Sequence, residues 1–351
     1  MKGVRTMNFT KRVLVSFFIM LAAGVICPAT LHASAHDQWI VYDGFKGPGE
    51  GKHIVFVTGD EEYRSEEAMP AMAKILALHH GFKCTVLFAI DKNTGQINPD
   101  VLDNIPGLQA LETADLMVLF TRMRELPDGQ MKYIIDYTNS GKPIIGVRTA
   151  THAFRYKRDR KSAYFKYGRG TEDFKGGYGR QVLGETWVAH HGDHGDESTR
   201  GVIAKGMENN PIVRGCEDIW GPTDVYEVGT LTGDSKPVIM GRVLRGMKPD
   251  SPPNEDKEMM PVAWIKSYTG KKGKTARIFT TTMGAAPDFE SEGLRRLFVN
   301  ACYWCLKMDK QIPARAKADL VGKFKPAFFG FGDFKKGLKP ADYRIDFDEV
   351  K

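Results

Sequence analysis

Three largely apolar runs, each ending on a polar loop, constrain this chain most: Ile54-Val55-Phe56-Val57, residues 114–120 (ADLMVLF, polar only at Asp115) and Ile144-Ile145-Gly146-Val147. None alternates polar with apolar side chains, so each reads as a strand buried on both faces. Helical patterns separate them. Ser65 is placed to cap a helix with Glu66 and Glu67 in its first turn, and Met69, Met72, Ile75 and Leu76 recur at helical spacing up to His79-His80-Gly81. Residues 83–90 give another strand, followed by a turn at Asn93-Thr94-Gly95 and a loop to Leu111. A second helix over 128–140 ends at Gly141, where a left-handed cap is wanted. This succession predicts an α/β domain with a doubly wound, mostly parallel, flavodoxin-like sheet covered by helices on both faces. Shorter strands are expected within 201–268, a return strand over 277–282, a closing helix over 290–306, and an extended tail rich in Lys, Gly and Phe after it.

The first 35 residues stand apart. Lys2, Arg5, Lys11 and Arg12 precede an apolar run over 13–25, too short for the roughly 20 residues that cross a bilayer. Ala33-Ser34-Ala35 supplies a small-x-small cleavage pattern, so a signal peptide cut after Ala35 is expected, with an uncleaved anchor as the alternative. Export would leave the protein periplasmic or extracellular. The leader carries four basic residues and no acidic one, so the mature chain holds 46 Lys+Arg against 43 Asp+Glu. A charge near +3 gives no footprint for a nucleic-acid partner, and no later segment is apolar enough to span a membrane. The expected organisation is residues 1–35 as leader, 36–50 as an N-terminal segment, 51–307 as the α/β domain with a basic insert at 155–180, and 308–351 as the tail. That insert has nine basic and three acidic residues and five glycines, and reads as a long solvated loop, with a lid or a binding platform as alternatives.

Cys84, Cys216, Cys302 and Cys305 remain after cleavage. Cys302 and Cys305 fall late in a helical pattern rather than opening one, which favours buried structural thiols over a disulfide or a redox pair.

In an open parallel sheet, ligands bind beyond the carboxyl ends of the strands, where strand order reverses. The strand exits here are residues 59–64, 121–124, 148–152 and 281–284. They carry Asp60, Glu61, Glu62, Tyr63, Arg64, Arg122 and Arg148, which suit hydrogen bonding to sugar hydroxyls or carboxylates, or pairing among themselves. His152 sits just past the fourth strand, where an imidazole can serve as acid or base. Residues 185–196 bring Glu185, His190, His191 and His194 close in sequence. Such density suits a catalytic or substrate-binding histidine first and a divalent metal second, although adjacent His190 and His191 point opposite ways in an extended chain. No cofactor is otherwise evident. The elbow that carries Cys or Ser in hydrolases and amidotransferases reads Gly146-Val147-Arg148-Thr149-Ala150, so thioester chemistry is not expected. Neither a phosphate loop nor a dinucleotide fingerprint is present.

Several segments together resemble the ThuA-like (trehalose utilisation) family: residues 59–64, 146–154, 184–191, Asn210-Pro211-Ile212 with Asp224-Val225-Tyr226, and Pro261-Val262-Ala263-Trp264 followed by 279–284. They occur in family order across residues 51–306. The resemblance implies a fold related to class I glutamine amidotransferases without the nucleophilic cysteine, and a role in carbohydrate metabolism. It carries a site role to Tyr63, Arg64, His152, His190 or His191, Asp224 and Tyr226. The chain departs from the family at Gly284-Ala285, where members often have Gly-His, and at the basic insert. Two functions follow as expectations. One is an enzyme of the cell envelope acting on a sugar, glycoside or keto-sugar, as a hydrolase, isomerase or lyase, with His152 and His190 as acid and base and Glu185 or Asp224 orienting them. The other is a non-catalytic carbohydrate-binding protein. A homo-oligomer is compatible with either.

Overall fold

The computed structural model describes residues 38–345 together with Met1, Gly3, Ala35 and His36, so the expected leader lies outside the described residues apart from those few. The sheet starts with β1 (Ala35–His36) and β2 (Trp39–Tyr42), continues through β3 (His53–Gly59), β4 (Lys83–Leu87), β5 (Leu116–Thr121) and β6 (Ile144–Val147), and is completed by β7 (Ser198–Ile203), β8 (Trp220–Gly221), β9 (Lys236–Leu244), β10 (Met260–Thr269) and β11 (Thr275–Thr281). The eleven strands form one sheet in the order β1-β2-β4-β3-β5-β6-β11-β10-β9-β7-β8.

Its middle is parallel. β4, β3, β5, β6 and β11 run side by side in one direction, and their order reverses at β3, which is flanked by β4 on one side and β5 on the other. Alternate residues of β3 enter opposite cores: Ile54 and Phe56 pack with the cluster under α1 (Ser65–His80) and α3 (Glu292–Cys305), and Val55 and Val57 with the cluster under α2 (Asp128–Asn139). Strands buried on both sides need no polar alternation, which is why their sequences are unbroken apolar runs.

The molecule is therefore α/β, but its sheet is mixed and not mostly parallel. Six strand pairings are antiparallel against four parallel. The cause is local: only residues 270–274 separate β10 from β11, and a link that short can join only antiparallel neighbours, whereas a parallel pair needs a crossover of a dozen residues or more. Within the 36–50 segment, Ile40, Val41 and Tyr42 are buried in β2, antiparallel to β4.

Helix ends also differ from expectation at one place. Arg64, in a left-handed conformation at φ 61°, occupies the cap position of α1, while the Ser65 hydroxyl accepts the Gly59 amide at 3.1 Å. Gly81 closes that helix at φ 78°, a conformation that costs glycine little.

The basic insert is anchored by its tyrosines while most of its charges face solvent, Arg155, Lys157, Arg158, Arg160, Lys161 and Lys175 being exposed. Tyr156, Tyr167 and Tyr178 are buried against the α2 side of the sheet, and the Glu125 carboxylate accepts the amides of Arg158 and Asp159 at 2.6 and 2.7 Å. The four thiols Cys84, Cys216, Cys302 and Cys305 are free and buried. The tail runs back over the body without regular strands. Leu338 accepts the Ile97 amide at 2.7 Å, and the Tyr343 carbonyl accepts the Tyr42 hydroxyl at 2.8 Å. No helix among the described residues is long and apolar enough to cross a membrane.

Candidate active site

At the exit of β6 the chain turns sharply into a 3-10 segment, Arg148–His152, with Arg148 at φ 44°. Met123 after β5 and Arg64 before α1 share this left-handed region, at φ 49° and 61°. A non-glycine residue pays about 1 kcal/mol or more for such a conformation, so three of them around one crevice are held by their surroundings. At the elbow, the holder is visible. The Arg148 guanidinium is fully buried between the rings of Tyr226 and Tyr63, at 3.8 and 4.4 Å from their centroids. It donates to the carbonyls of Asp224 and Thr282, at 2.9 and 2.6 Å, and to the Asp224 carboxylate at 2.9 Å.

Asp224 is the centre of the site. The Nδ1 atoms of His190 and His194 lie 2.7 and 3.0 Å from its two oxygens, so one carboxylate engages a guanidinium and two imidazoles. Burial alone would raise its pKa, but Arg148 and the bonds from His190 and His194 outweigh it and hold the carboxyl well below the ordinary carboxylate range. An ionised Asp224 requires a donor at His190 Nδ1, which leaves Nε2 as the basic nitrogen. Backbone bonds place this loop: His190 bridges Tyr226 in antiparallel fashion, and the amides of His191 and Gly192 both donate to Val225, at 2.9 and 3.0 Å. Asp288 fixes the neighbouring turn by accepting the Thr223 hydroxyl at 2.6 Å and the Gly284 amide at 2.7 Å. Gly221 is required there, since a Cβ would fall 2.4 Å from Asp288 Oδ1.

These groups face a cavity of about 350 Å³ lined by Glu62, Tyr63, Arg122, Met123, His152, Trp187, His190, His194, Tyr226, Gly330 and Phe331. Two other surface hollows, one of them marginally larger, lie elsewhere and gather no comparable set of histidines and aromatic rings. His152 is buried, with Nδ1 3.1 Å from the Thr151 hydroxyl. Burial, then Arg122, Arg169 and Arg148, depresses its pKa well below that of free histidine, so it is neutral at physiological pH. Glu62 is pushed upward by burial, against the pull of Arg122, whose Nε lies 3.1 Å from its carboxylate.

The residues picked out in sequence divide accordingly. Tyr63, Arg122, His152, His190, His194 and Tyr226 line the cavity, and Arg148 and Asp224 lie directly behind them. The others are elsewhere. Glu185 is buried against Arg180, at 2.5 Å, and its own neighbour's amide, at 2.8 Å, so it does not orient either histidine. His191 turns away from His190, as adjacent residues of an extended segment must, and bonds the Glu258 carbonyl at 2.8 Å. Asp60 holds its own loop by accepting the amides of Glu62 and Tyr63, both at 2.7 Å, and the Thr149 hydroxyl. Glu61 pairs with Arg122 and Arg124, and Arg64 donates to tail carbonyls, 3.1 Å at Phe328. Glu62, expected beside Asp60 and Glu61 as an acceptor, lines the cavity as well, and the structure adds Met123, Trp187, Gly330 and Phe331. A tryptophan two residues after Glu185 was visible in sequence, whereas nothing local tied residues 330 and 331 to a site 140 residues upstream.

His190, His194 and Asp224 could also hold a divalent cation, since their ligating atoms lie within 4.8 Å of one another. Two imidazoles and a carboxylate suit zinc or a related ion, and the Glu62 oxygen 3.5 Å from His194 Nε2 is placed as an outer partner. Arg148 on the same carboxylate opposes a second positive charge.

No protein-family model and no curated protein matches the chain. Solved structures with a similar backbone course include a protein assigned as ThuA-like from Bacteroides uniformis, at 13% identity and TM-score 0.46 over 77% of this chain and 96% of that one. Another assigned as ThuA-like, from Parabacteroides merdae, shows 13% identity and TM-score 0.47 over 80% and 97%. A β-galactosidase from Rahnella sp. R3 matches at 10% identity and TM-score 0.37 over 75% of this chain and 32% of its own length. These likenesses are of backbone course, at identities too low to carry residue roles across.

Proposed function

We propose that this is an exported ThuA-like enzyme of carbohydrate metabolism that performs acid-base chemistry on a sugar, glycoside or keto-sugar. One observation carries the reading: the buried Asp224 carboxylate lies 2.7 Å from His190 Nδ1 and so orients that ring in a cavity that His152 also lines. His190 Nε2 takes a proton, and the neutral His152 ring places a second imidazole on the same cavity wall. Arg122 and Glu62 offer directional partners for hydroxyl or carbonyl oxygens, and Trp187 and Tyr226 an apolar face, the mix expected of a site that orients a small polar ligand. The ordered family-like segments and the parallel strand order β4-β3-β5-β6-β11, which is flavodoxin-like, support the family reading. Cysteine chemistry has no place in it, because Arg148 fills the elbow and points at Asp224.

The test is turnover of a panel of glycosides and 3-keto glycosides by the protein and by His152→Ala and His190→Ala. Loss of about 10²-fold or more in each variant supports the assignment, general acid-base groups contributing on that scale. Saturable sugar binding with no product would instead make the protein a binder. A metal role for His190, His194 and Asp224 is favoured by their convergence, and metal analysis of chelator-free protein, alone and as His194→Ala, decides it.

A further inference from the structure

The C-terminal tail crosses the mouth of the cavity and leaves one large apolar ring there with nothing apolar over it. Phe331 is 59% exposed yet lines the cavity. An aromatic face that opens into a polar cavity is available to a ligand offering it an apolar surface. Its backbone is anchored on both sides of the cavity's first loop. The Gly330 amide donates to the Glu62 carbonyl at 2.8 Å, and Arg64 donates to the carbonyls of Phe328 and Gly330. Phe329 is buried against Tyr63 and His194, with ring centroids 5.7 and 5.2 Å away. The Arg122 guanidinium lies 5.0 Å from the Phe331 centroid and steadies the ring from one side. Gly330 and Gly332 flank the ring at φ 142° and 80°, conformations open to glycine, so the chain turns around Phe331 and presents it.

We infer that Phe331 is a substrate-stacking residue that takes the apolar C–H face of a pyranose ring, so that the tail completes the site and sets a preference for cyclic sugars. The inference rests on the sugar reading above. A pyranose presents axial C–H bonds on one face and hydroxyls at its rim, which matches an aromatic face, with its negative quadrupole, edged by Arg122, Glu62 and the histidines. An acyclic polyol with the same hydroxyls lacks that rigid face and gains nothing from the ring.

The experiment is calorimetric titration of the full chain with methyl glucopyranoside, trehalose and sorbitol, using Phe331→Ala, Phe331→Trp and Phe328→Ala. Phe328 is equally exposed in the same tail, at 53%, but does not line the cavity. The expected result is a weakening of cyclic-sugar binding by roughly five- to tenfold in Phe331→Ala, recovery in Phe331→Trp, wild-type affinity in Phe328→Ala, and no change for sorbitol. Unchanged melting temperatures separate this from a folding effect. Cyclic-sugar affinity within twofold of wild type in Phe331→Ala, or no recovery in Phe331→Trp, would overturn the inference alone. Failure of the unaltered protein to bind any cyclic sugar would overturn the sugar reading, and the inference with it.

Discussion

Asp224 carries more of the site than any other residue, because its two oxygens serve Arg148, His190 and His194 at once. Replacing it with asparagine keeps the shape and removes the charge. Arg148, fully buried, then has no counter-charge on the side chain it points at, and breaking a buried pair in this way costs about 3–5 kcal/mol. Asp224→Asn is therefore expected to lower chemical-denaturation stability by that order and to abolish turnover, while His190→Ala abolishes turnover with little loss of stability, since that imidazole is partly exposed. Equal stability of Asp224→Asn and the unaltered protein would contradict the burial argument. The sequence marked Arg148, His190 and Asp224 as candidates because they fall at strand exits, in a dense histidine segment or in a family-like segment. It could not rank Asp224 above Glu185, because Glu185 is the acid close to the histidines in the chain, and only the Tyr226–His190 bridge brings the distant Asp224 to them.

At the scale of elements, α1 holds an unusual acid in its first turn. Glu66 is buried, and neither carboxyl oxygen bonds another residue. Burial, with Glu67 and Asp60 adding to it and Arg64 opposing, raises its pKa from 4.5 to about 8. Between those values the folded state keeps a proton that the unfolded chain has released, so stability falls as pH rises and the whole penalty is present above about 8. Glu66→Gln removes the ionisation. It is expected to melt like the unaltered protein near pH 5 and to be more stable near pH 9 by a few kcal/mol, each tenfold change in proton affinity being worth about 1.4 kcal/mol. A pH-independent difference in melting temperature would contradict this. The helix itself was legible from its apolar spacing, and so were β3, β5 and β6 from their unbroken apolar runs. β2 was not, because four residues near a sheet edge carry too little pattern, and the antiparallel half was read only coarsely, because β9 and β10 each carry a proline and mix buried with exposed positions, so neither gives a continuous apolar run.

Over the whole molecule, parallel strands position the chemistry and the two extensions finish it: the antiparallel half backs the segment that carries Asp224 and Tyr226, the Thr199 hydroxyl of β7 donating to the Thr223 carbonyl at 2.6 Å, and the tail supplies Gly330 and Phe331. Packing on both faces leaves the cysteines inside, with burial pushing the thiols of Cys84 and Cys302 up and that of Cys216 to about 12. Native protein is expected to leave Cys84, Cys216, Cys302 and Cys305 unlabelled by a water-soluble disulfide reagent at pH 8, and to expose all four in denaturant. Rapid native labelling would show the core to be more open than the packing implies. The basic insert is the clearest limit of sequence reading at this scale. Its charge suggested solvent, yet three tyrosines spaced along it are enough to dock it, a tertiary effect that no local pattern encodes.

The account stands on His190 and His152 acting across one cavity with Asp224 behind them. The most direct measurement is steady-state turnover of 3-keto glycosides by His190→Ala, His152→Ala and His191→Ala side by side. His190→Ala and His152→Ala should each lose about 10²-fold or more in kcat, and His191→Ala, which lacks only a side chain bonded to the Glu258 carbonyl away from the cavity, should retain it. Full activity in His190→Ala, or a loss in His191→Ala as large as in its neighbour, would contradict the account.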